Sequence, residues 1–360
     1  MSEAIFFVFA AVIGGIAGSF LNACIHRMPR GIPLNNPRRS FCPGCNRTIP
    51  WHENVPVLSW ILLRGKCSNC GAGISFRYLL VECLTAALFV FAWMRYGLPL
   101  ALAYWIFLAL LIAATFIDIE HFIIPDEITL GGTVAGLLAS ILFPQLMQAS
   151  SRFEAFGYSV LAAAFGYGLL RLIVELGKLA FGRKRHRFEK EEPFVLLPNG
   201  DAATLRIGDE TLSWEDIFAR ESDELVLECA SSSIPGAPVL RFRHDRMILA
   251  NEETPLGDLK EITGTLRAVT IPREAMGFGD VKLIAAIGAF LGWKAVLFTL
   301  CAASIIGCMA ALAGIFLARD RTGTRVPFGP FLALGATIWL FGGHEIWNSY
   351  FGVFPHGDAF

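Results

Sequence analysis

Charged side chains are scarce in this sequence, and neither sign is in excess. Of its 360 residues, 17% are charged and 54% are hydrophobic, which excludes an ordinary soluble protein and indicates a chain embedded in membrane lipid. The 30 basic and 31 acidic side chains leave a formal net charge of −1, so the composition predicts no nucleic-acid partner. The sequence also lacks a G-x-G-x-x-G motif after a strand, which removes any argument for a Rossmann-type cofactor site.

Long apolar runs dominate the chain instead. Residues 5–25 form a run interrupted only by Ser19 and Asn22, long enough to cross a hydrocarbon layer of about 30 Å. We therefore expect an all-α polytopic membrane protein with about eight transmembrane helices, although the run at 281–293 is short for a full crossing. The other predicted spans lie at 78–97, 99–118, 127–145, 157–182, 295–318 and 327–343.

Charge separates two polar segments from the spans. The loop at 26–77 has eight basic side chains against the single acid Glu53, so the positive-inside rule predicts that it is cytoplasmic. Residues 183–270 hold 17 acidic and 12 basic side chains and are predicted to be a small β-rich soluble insert. Its strand and turn signals are Ala203–Ile207, Leu225–Cys229, Val239–Phe242, Asn199-Gly200 and Pro235-Gly236. The predicted segments are 1–25, 26–77, 78–182, 183–270, 271–345 and a tail at 346–360.

Four of the nine cysteines form two C-x2-C pairs in the basic loop. Cys42 and Cys45 are separated by 21 residues from Cys67 and Cys70. Two thiolates from each of two tight turns are what tetrahedral ligation of Zn²⁺ requires, so the spacing predicts a structural zinc site. Disulfides or a redox pair are an alternative, disfavoured in a reducing compartment, and an unliganded cluster is another.

Two aspartates at predicted span ends are candidates for chemistry. Asp118 ends the third span, where a carboxylate opposes the helix dipole. Asp280 opens the sixth span and is flanked by Gly277 and Gly279, which allow another backbone to approach closely. Asp126 after Pro125 is well placed to cap the fourth span, and Asp280 could likewise be only a helix cap.

The topology puts Asp118 and Asp280 at the same depth, on the cytoplasmic edge of the bilayer. Two carboxyl groups that meet there would share one proton. The ionised member could then activate water while the protonated member polarises a peptide carbonyl, which is aspartic-protease chemistry without a metal. Spacing along the sequence does not show that the two helices meet.

These motifs together resemble those of the type IV prepilin peptidases, over most of the membrane part. The resemblance rests on Gly18–Arg30 with Asn22 and Arg27, the two cysteine pairs, Phe76-Arg77-Tyr78 with Glu82, Asp118–Asp126, and Gly277-Phe-Gly-Asp280-Val-Lys-Leu. It implies that Asp118 and Asp280 are the catalytic pair of a GxGD-type intramembrane aspartic protease. The expected supporting residues are Gly277, Gly279, Asp126, Glu82 and Lys282. Glu82 is either a supporting or substrate contact or a buried partner of Arg77.

The resemblance also implies substrates, a second activity and a location. The substrates are type IV prepilin or pseudopilin precursors, cut after a glycine on the cytoplasmic face of the bacterial inner membrane. The new N-terminus is then methylated with S-adenosylmethionine, for which no residues are assigned. A metal-dependent transporter or secretion-platform protein is the rival hypothesis, and a peptidase of the same type that cuts another membrane helix is a third.

The insert at 183–270 departs from the expected pattern because it is longer than the family's connection. Its acidic excess could attract a basic leader peptide, or it could be a solvated surface without a partner.

Overall fold

The computed structural model describes residues 3–36, 39–181, 183–200, 202–218, 223–234, 237–249, 252–272, 277–318 and 326–351. Two compact units form. One comprises Met1–Arg171 with Gly277–Phe360 and is helical; the other comprises Leu172–Met276 and contains a β-sheet.

The helices follow the apolar runs. In chain order they are α1 (Glu3–Arg27), α2 (Leu58–Leu62), α3 (Phe76–Tyr96), α4 (Leu100–His121), α5 (Asp126–Leu142), α6 (Arg152–Phe181), α7 (Trp214–Ile217), α8 (Phe278–Leu291), α9 (Trp293–Ala318), α10 (Gly329–Ile338) and α11 (His344–Phe351). A π-helical segment, Trp339–Gly343, joins α10 to α11.

Five helices of the described part are long and apolar enough to cross a membrane. They are Ile5–Arg30, Phe76–Tyr96, Leu100–His121, Arg152–Gly177 and Trp293–Gly314. The other predicted spans also lie on helices, but α5 and α8 have 17 and 14 residues. At 1.5 Å per residue they are about 26 and 21 Å long, shorter than the hydrocarbon layer. The structure thus supports a multi-pass membrane protein, while eight crossings stay a prediction.

Glycines allow α1 to pack directly on the backbone of α3. A Cβ atom on Gly14 would lie 2.6 Å from the Cα of Ala86, and one on Gly18 would lie 2.7 Å from the Cα of Glu82. Small residues four apart allow this close approach, which stabilises helix pairs in lipid through van der Waals contact. The Asn22 side-chain amide also donates to the carbonyl of Tyr78 at 3.0 Å.

The short helix α8 is the most enclosed element of the helical unit. Ten of its eleven residues from Asp280 to Phe290 are buried, Lys282 being the exception. Gly136 of α5 meets Ala289, with its Cβ position 2.8 Å from that side chain, and Gly288 meets the carbonyl of Ala162 on α6. Because protein surrounds it, α8 does not need to match the thickness of the lipid.

The insert is an antiparallel sheet of eight strands, so the β-rich prediction is confirmed. The strands are β1 (Arg183–Asn199), β2 (Ala202–Ile207), β3 (Glu210–Ser213), β4 (Leu225–Ser232), β5 (Val239–Phe242), β6 (Arg246–Leu249), β7 (Glu252–Pro255) and β8 (Ile262–Pro272). Their order is β3-β2-β1-β8-β4-β5-β6-β7.

Alternating side chains build the core of the sheet unit. Leu225 and Leu227 of β4 and Leu240 and Phe242 of β5 are fully buried, whereas Val226 and Arg241 between them are not. The predicted turn at Asn199-Gly200 has Gly200 at φ +63°, a conformation that glycine adopts readily. The predicted turn at Pro235-Gly236 lies outside the described residues, as do residues 352–360 of the tail.

Candidate active site

Asp118 lies in the last turn of α4 and is buried, with 6% of its surface exposed. The helix ends because Phe122 adopts the left-handed conformation and its N–H returns to the carbonyl of Asp118. The Asp118 side chain turns inward and accepts a hydrogen bond from the backbone N–H of Gly329, with 3.0 Å between N and Oδ2. This contact joins residues 211 positions apart.

Asp280 lies in the first turn of α8 and is also buried, at 7% exposure. Gly277, not Asp280, is the residue at the helix cap, so the capping role is not the one it takes. Its Oδ1 atom is buried and has no hydrogen-bond partner among the described residues. A buried carboxyl oxygen without a partner is costly, and such atoms are concentrated at functional sites.

The structure brings the two aspartates to one site. Asp118 and Asp280 lie close enough to interact electrostatically. Ile124, from the turn between α4 and α5, lies between the start of α10, which donates to Asp118, and the start of α8, which contains Asp280. Its Cδ1 is 2.9 Å from the Cβ position of Gly329, and its own Cβ is 3.0 Å from that of Gly279.

The glycines flanking Asp280 differ in their surroundings. Gly279 faces the backbone N and O of Ile124, both 3.3 Å from its Cβ position, so it permits the expected close approach. At Gly277 the nearest atom is Oδ2 of Asp280, at 3.6 Å, which is an ordinary contact. Among the described residues, no backbone approaches Gly277 as closely, so its supporting role stays a prediction.

Asp126 and Lys282 form an ion pair beside the aspartates. Asp126 is the first residue of α5 and makes no side-chain cap, so the capping prediction is wrong. Its Oδ1 instead lies 2.6 Å from Nζ of Lys282 on α8. The same Nζ lies 4.9 Å from the ring centre of Phe278, within cation–π range. This pair ties the first turn of α5 to the first turn of α8.

Glu82 does not pair with Arg77, which corrects the alternative drawn from the sequence. Glu82 is buried on α3 and accepts a 2.7 Å hydrogen bond from the backbone N–H of Val57 in the basic loop. Arg77 instead forms an ion pair with Glu120, two residues after Asp118. Glu82 thus holds the loop against α3, whereas Arg77 holds the end of α4.

The four loop cysteines form one cluster. Their Sγ atoms all lie within 4.8 Å of one another, and none is in a disulfide. Matching turns present them: the N–H of Asn46 bonds to the carbonyl of Cys42, and that of Gly71 to Cys67. Hydrogen bonds from the backbone N–H groups of Cys70 and Asn69 lower the pKa of the Cys67 thiol to about 6.

The cluster has the dimensions of a zinc site. Zn–S bonds of about 2.3 Å place the sulfurs of a tetrahedron about 3.8 Å apart. The Sγ atoms of Cys42 and Cys70 are 3.7 Å apart. Four thiolates leave no open coordination position, so a bound zinc would be structural.

Comparison with known proteins identifies the family. Residues 12–96 match the Bacterial Peptidase A24 N-terminal domain, and residues 105–183 and 262–312 match the Type IV leader peptidase family. A prepilin leader peptidase/N-methyltransferase from Dichelobacter nodosus is 31% identical over 374 residues, covering 96% of this chain and 95% of the relative. The chain belongs to the type IV leader peptidase family.

Two further relatives are also prepilin leader peptidase/N-methyltransferases. The protein from Aeromonas hydrophila is 28% identical over 372 residues, covering 96% of this chain and 92% of the relative. The protein from Myxococcus xanthus is 38% identical over 181 residues, which cover 50% of this chain and 51% of the relative. No solved structure matches the chain.

The type IV leader peptidase match contains both aspartates. Asp118 lies in its first part and Asp280 in its second, while the cysteine cluster and Glu82 lie in the N-terminal match. The matched ranges leave out 184–261, most of the insert. Gly329 lies outside every matched range.

Gly329 and Glu120 are the site residues that sequence reasoning missed. Gly329 is followed by Pro330 at the start of an apolar run, a pattern typical of the first turn of a helix. The N–H groups of a first turn have no partner within their own helix, so this pattern could have indicated a donor at Gly329. Glu120 is an acid close to Asp118 on the same helix end. Nothing local indicated which basic residue it meets.

Proposed function

We propose that this chain is a membrane aspartic endopeptidase that removes the leader from type IV prepilins and pseudopilins and then methylates the new N-terminus. The single observation that supports the proteolysis is the pair of buried, interacting carboxyls of Asp118 and Asp280. The names of the relatives, prepilin leader peptidase/N-methyltransferase, support both cleavage and methylation.

The proposed reaction divides two tasks between the aspartates. One carboxylate takes a proton from a water molecule as the water attacks the peptide carbonyl carbon. The protonated partner donates a hydrogen bond to the carbonyl oxygen and then a proton to the leaving nitrogen. Asp126, Lys282, Gly279 and Ile124 hold the two helix ends in register and do not react.

Charge and depth support a cytoplasmic site, where the resemblance implies a basic leader that ends in glycine. The basic loop predicts which side of the membrane is cytoplasmic, and the alternation of the predicted spans assigns to that side the helix ends that carry Asp118 and Asp280. A pilin precursor can insert its apolar helix among the spans while the leader stays in water beside the aspartates. Eight crossings and the segment boundaries predicted from the sequence belong to this proposal.

The cysteine cluster would hold a structural Zn²⁺ through Cys42, Cys45, Cys67 and Cys70. The described residues of this loop form isolated bridges and short helices, so the metal would stabilise the fold of the loop. No step of peptide hydrolysis passes through it.

Methylation requires S-adenosylmethionine, and a half-open cavity of about 290 Å³ is one candidate place for it. It lies along the second half of α1, against the basic loop. Apolar side chains such as Phe20 and Pro56 line it together with the polar groups of Arg27 and Asn54. When bound, the cofactor would supply the electrophilic methyl group.

Replacing each aspartate by asparagine tests the proteolysis. The purified chain in lipid is incubated with a prepilin, and mass spectrometry of the pilin N-terminus reports cleavage position and methylation together. We expect Asp118→Asn and Asp280→Asn each to lower cleavage at least about 100-fold, because general acid–base groups contribute that much or more. Asp245→Asn, an exposed aspartate of the sheet unit, is the matched control.

The rival hypothesis makes a different prediction for the same variants. In a transporter or secretion-platform protein the carboxylates would bind rather than react, so full cleavage by either variant would refute the proposed peptidase. Unchanged zinc content and thermal stability would show that lost cleavage is not lost folding.

A further inference from the structure

The two aspartates have unequal surroundings, and the difference comes from Gly329. Gly329 is the first residue of α10, where a backbone N–H has no partner within its own helix. Here it donates to Oδ2 of Asp118 at 3.0 Å. Oδ1 of Asp280 is buried and has no partner among the residues described.

Only glycine fits at this position. A Cβ atom on Gly329 would lie 2.6 Å from Oδ2 of Asp118 and 2.9 Å from Cδ1 of Ile124. Real Cβ atoms essentially never approach other atoms so closely. Any side chain would therefore push the carboxyl group away from the N–H that it accepts from.

We infer that Gly329 is a positioning residue that makes Asp118 the ionised base and leaves Asp280 as the protonated acid. A hydrogen bond donated to a carboxylate stabilises its charged form. Asp280 receives no such bond at Oδ1, and its neighbours Val281, Leu283 and Ile284 are buried hydrophobic residues. The inference rests on the proposed function, because it assigns roles within the same aspartate pair.

Helix dipoles do not reverse this assignment. Asp280 lies near the start of α8, which favours its charge, and Asp118 lies near the end of α4, which does not. However, the start of α10 also faces Asp118, and a direct hydrogen bond to a charged group outweighs a dipole contribution.

Other ionisable groups lie on the helices packed around the aspartates. The α10 helix itself has no ionisable side chain. Asp280 is the ionisable group that interacts with Asp118 from α8. Four charged side chains at the adjoining ends of α3, α4, α5 and α8 form the pairs Arg77–Glu120 and Asp126–Lys282. His121 on α4 lies 4.0 Å from the carboxylate of Glu120, Glu127 on α5 is exposed, and Glu82 on α3 accepts a hydrogen bond from the backbone of Val57.

Gly329→Ala in the full chain tests the inference. We expect kcat for prepilin cleavage to fall about 10- to 100-fold with little change in KM, because the substitution disturbs a reacting group and not a substrate contact. The acid limb of the pH profile of kcat should move up by about one to two pH units, since an ionised Asp118 loses its donor.

Gly335→Ala is the matched control, because it adds the same atom to the same helix. Its Cβ would lie 3.0 Å from the carbonyl oxygen of Thr299, a tight contact away from the aspartates. It should change stability but leave the acid limb in place. An unmoved acid limb in Gly329→Ala, or an equal shift in Gly335→Ala, would overturn the inference.

Chemical labelling of the unaltered protein gives an answer even if Gly329→Ala fails to fold. An epoxide is opened by attack of an ionised carboxylate oxygen on its carbon, with water protonating the resulting alkoxide. Peptide mapping near pH 6 should find the ester on Asp118, and a label on Asp280 instead would contradict the assignment. If Asp118→Asn retained cleavage, the proposed function itself would fail, which separates the two outcomes.

Discussion

The ion pair between Asp126 and Lys282 should support the site without taking part in the reaction. Its Nζ–Oδ1 distance is 2.6 Å, but the Asp126 side chain is 59% exposed and that of Lys282 is 20% exposed, so water screens their attraction. Pairs of this kind contribute about 0.5–1 kcal/mol, or a two- to fivefold effect on an equilibrium.

A double-mutant cycle measures this contribution. Asp126→Asn removes the ion pair, whereas Lys282→Met also removes the cation–π contact with Phe278. We therefore expect Lys282→Met to cost about 0.5–1 kcal/mol more in unfolding free energy than Asp126→Asn. The coupling free energy between the two substitutions should be about 0.5–1 kcal/mol. It should be smaller in about 0.5 M salt, roughly three times physiological ionic strength, because salt screens the pair.

Cleavage assays on the two single variants and the double variant complete the test. Each single variant should retain cleavage within about tenfold of the starting protein, because the helix ends remain held by Ile124 and Gly279. Zero coupling would show that the pair is not formed in the membrane. Complete loss of cleavage in Lys282→Met, with folding intact, would make the lysine a reacting group and refute the reasoning.

Two further predictions concern packing and metal. Gly136→Leu should destabilise the helical unit by about 1–3 kcal/mol and lower cleavage, because its Cβ position is already 2.8 Å from the side chain of Ala289; Gly131→Leu, at a position with no neighbour within 4 Å, is the control for a thermal-unfolding comparison. Zinc content, measured by mass spectrometry of the purified protein, should be one ion per chain and should fall as the solution is acidified, because protons then compete with the metal for the four thiolates. Full zinc retention at pH 4 would contradict the thiolate site.

Patterns of short range predicted much of the fold. Every predicted span overlaps a helix, and the alternating residues at 203–207, 225–229 and 239–242 lie on β2, β4 and β5. Apolar runs and period-two alternation specify local structure because each element must bury one kind of surface. The cysteine spacing likewise predicted the cluster, since two tight turns bring four sulfurs together.

Contacts between distant residues were not predictable in this way. The bond from Gly329 to Asp118 and the pair between Asp126 and Lys282 join residues 211 and 156 positions apart. They depend on how α5, α8 and α10 pack, which is decided by glycine contacts such as that of Gly136 with Ala289. The capping role expected for Asp126 failed because Pro125 takes the cap position, and the Asp126 side chain pairs with Lys282 on another helix.

The sheet unit shows how a family fold can accept a long insert. The family match stops at residue 183 and resumes at 262. The strands at the two ends of the insert, β1 and β8, are antiparallel neighbours, and Arg183 pairs with Pro272. The chain therefore leaves and re-enters the sheet at adjacent points, as inserted domains do when they are tolerated. The remaining strands lie on both sides of this central pair, and the insert has a hydrophobic core of its own. The chain can therefore accept the insert without a longer connection between the helices that hold Asp118 and Asp280.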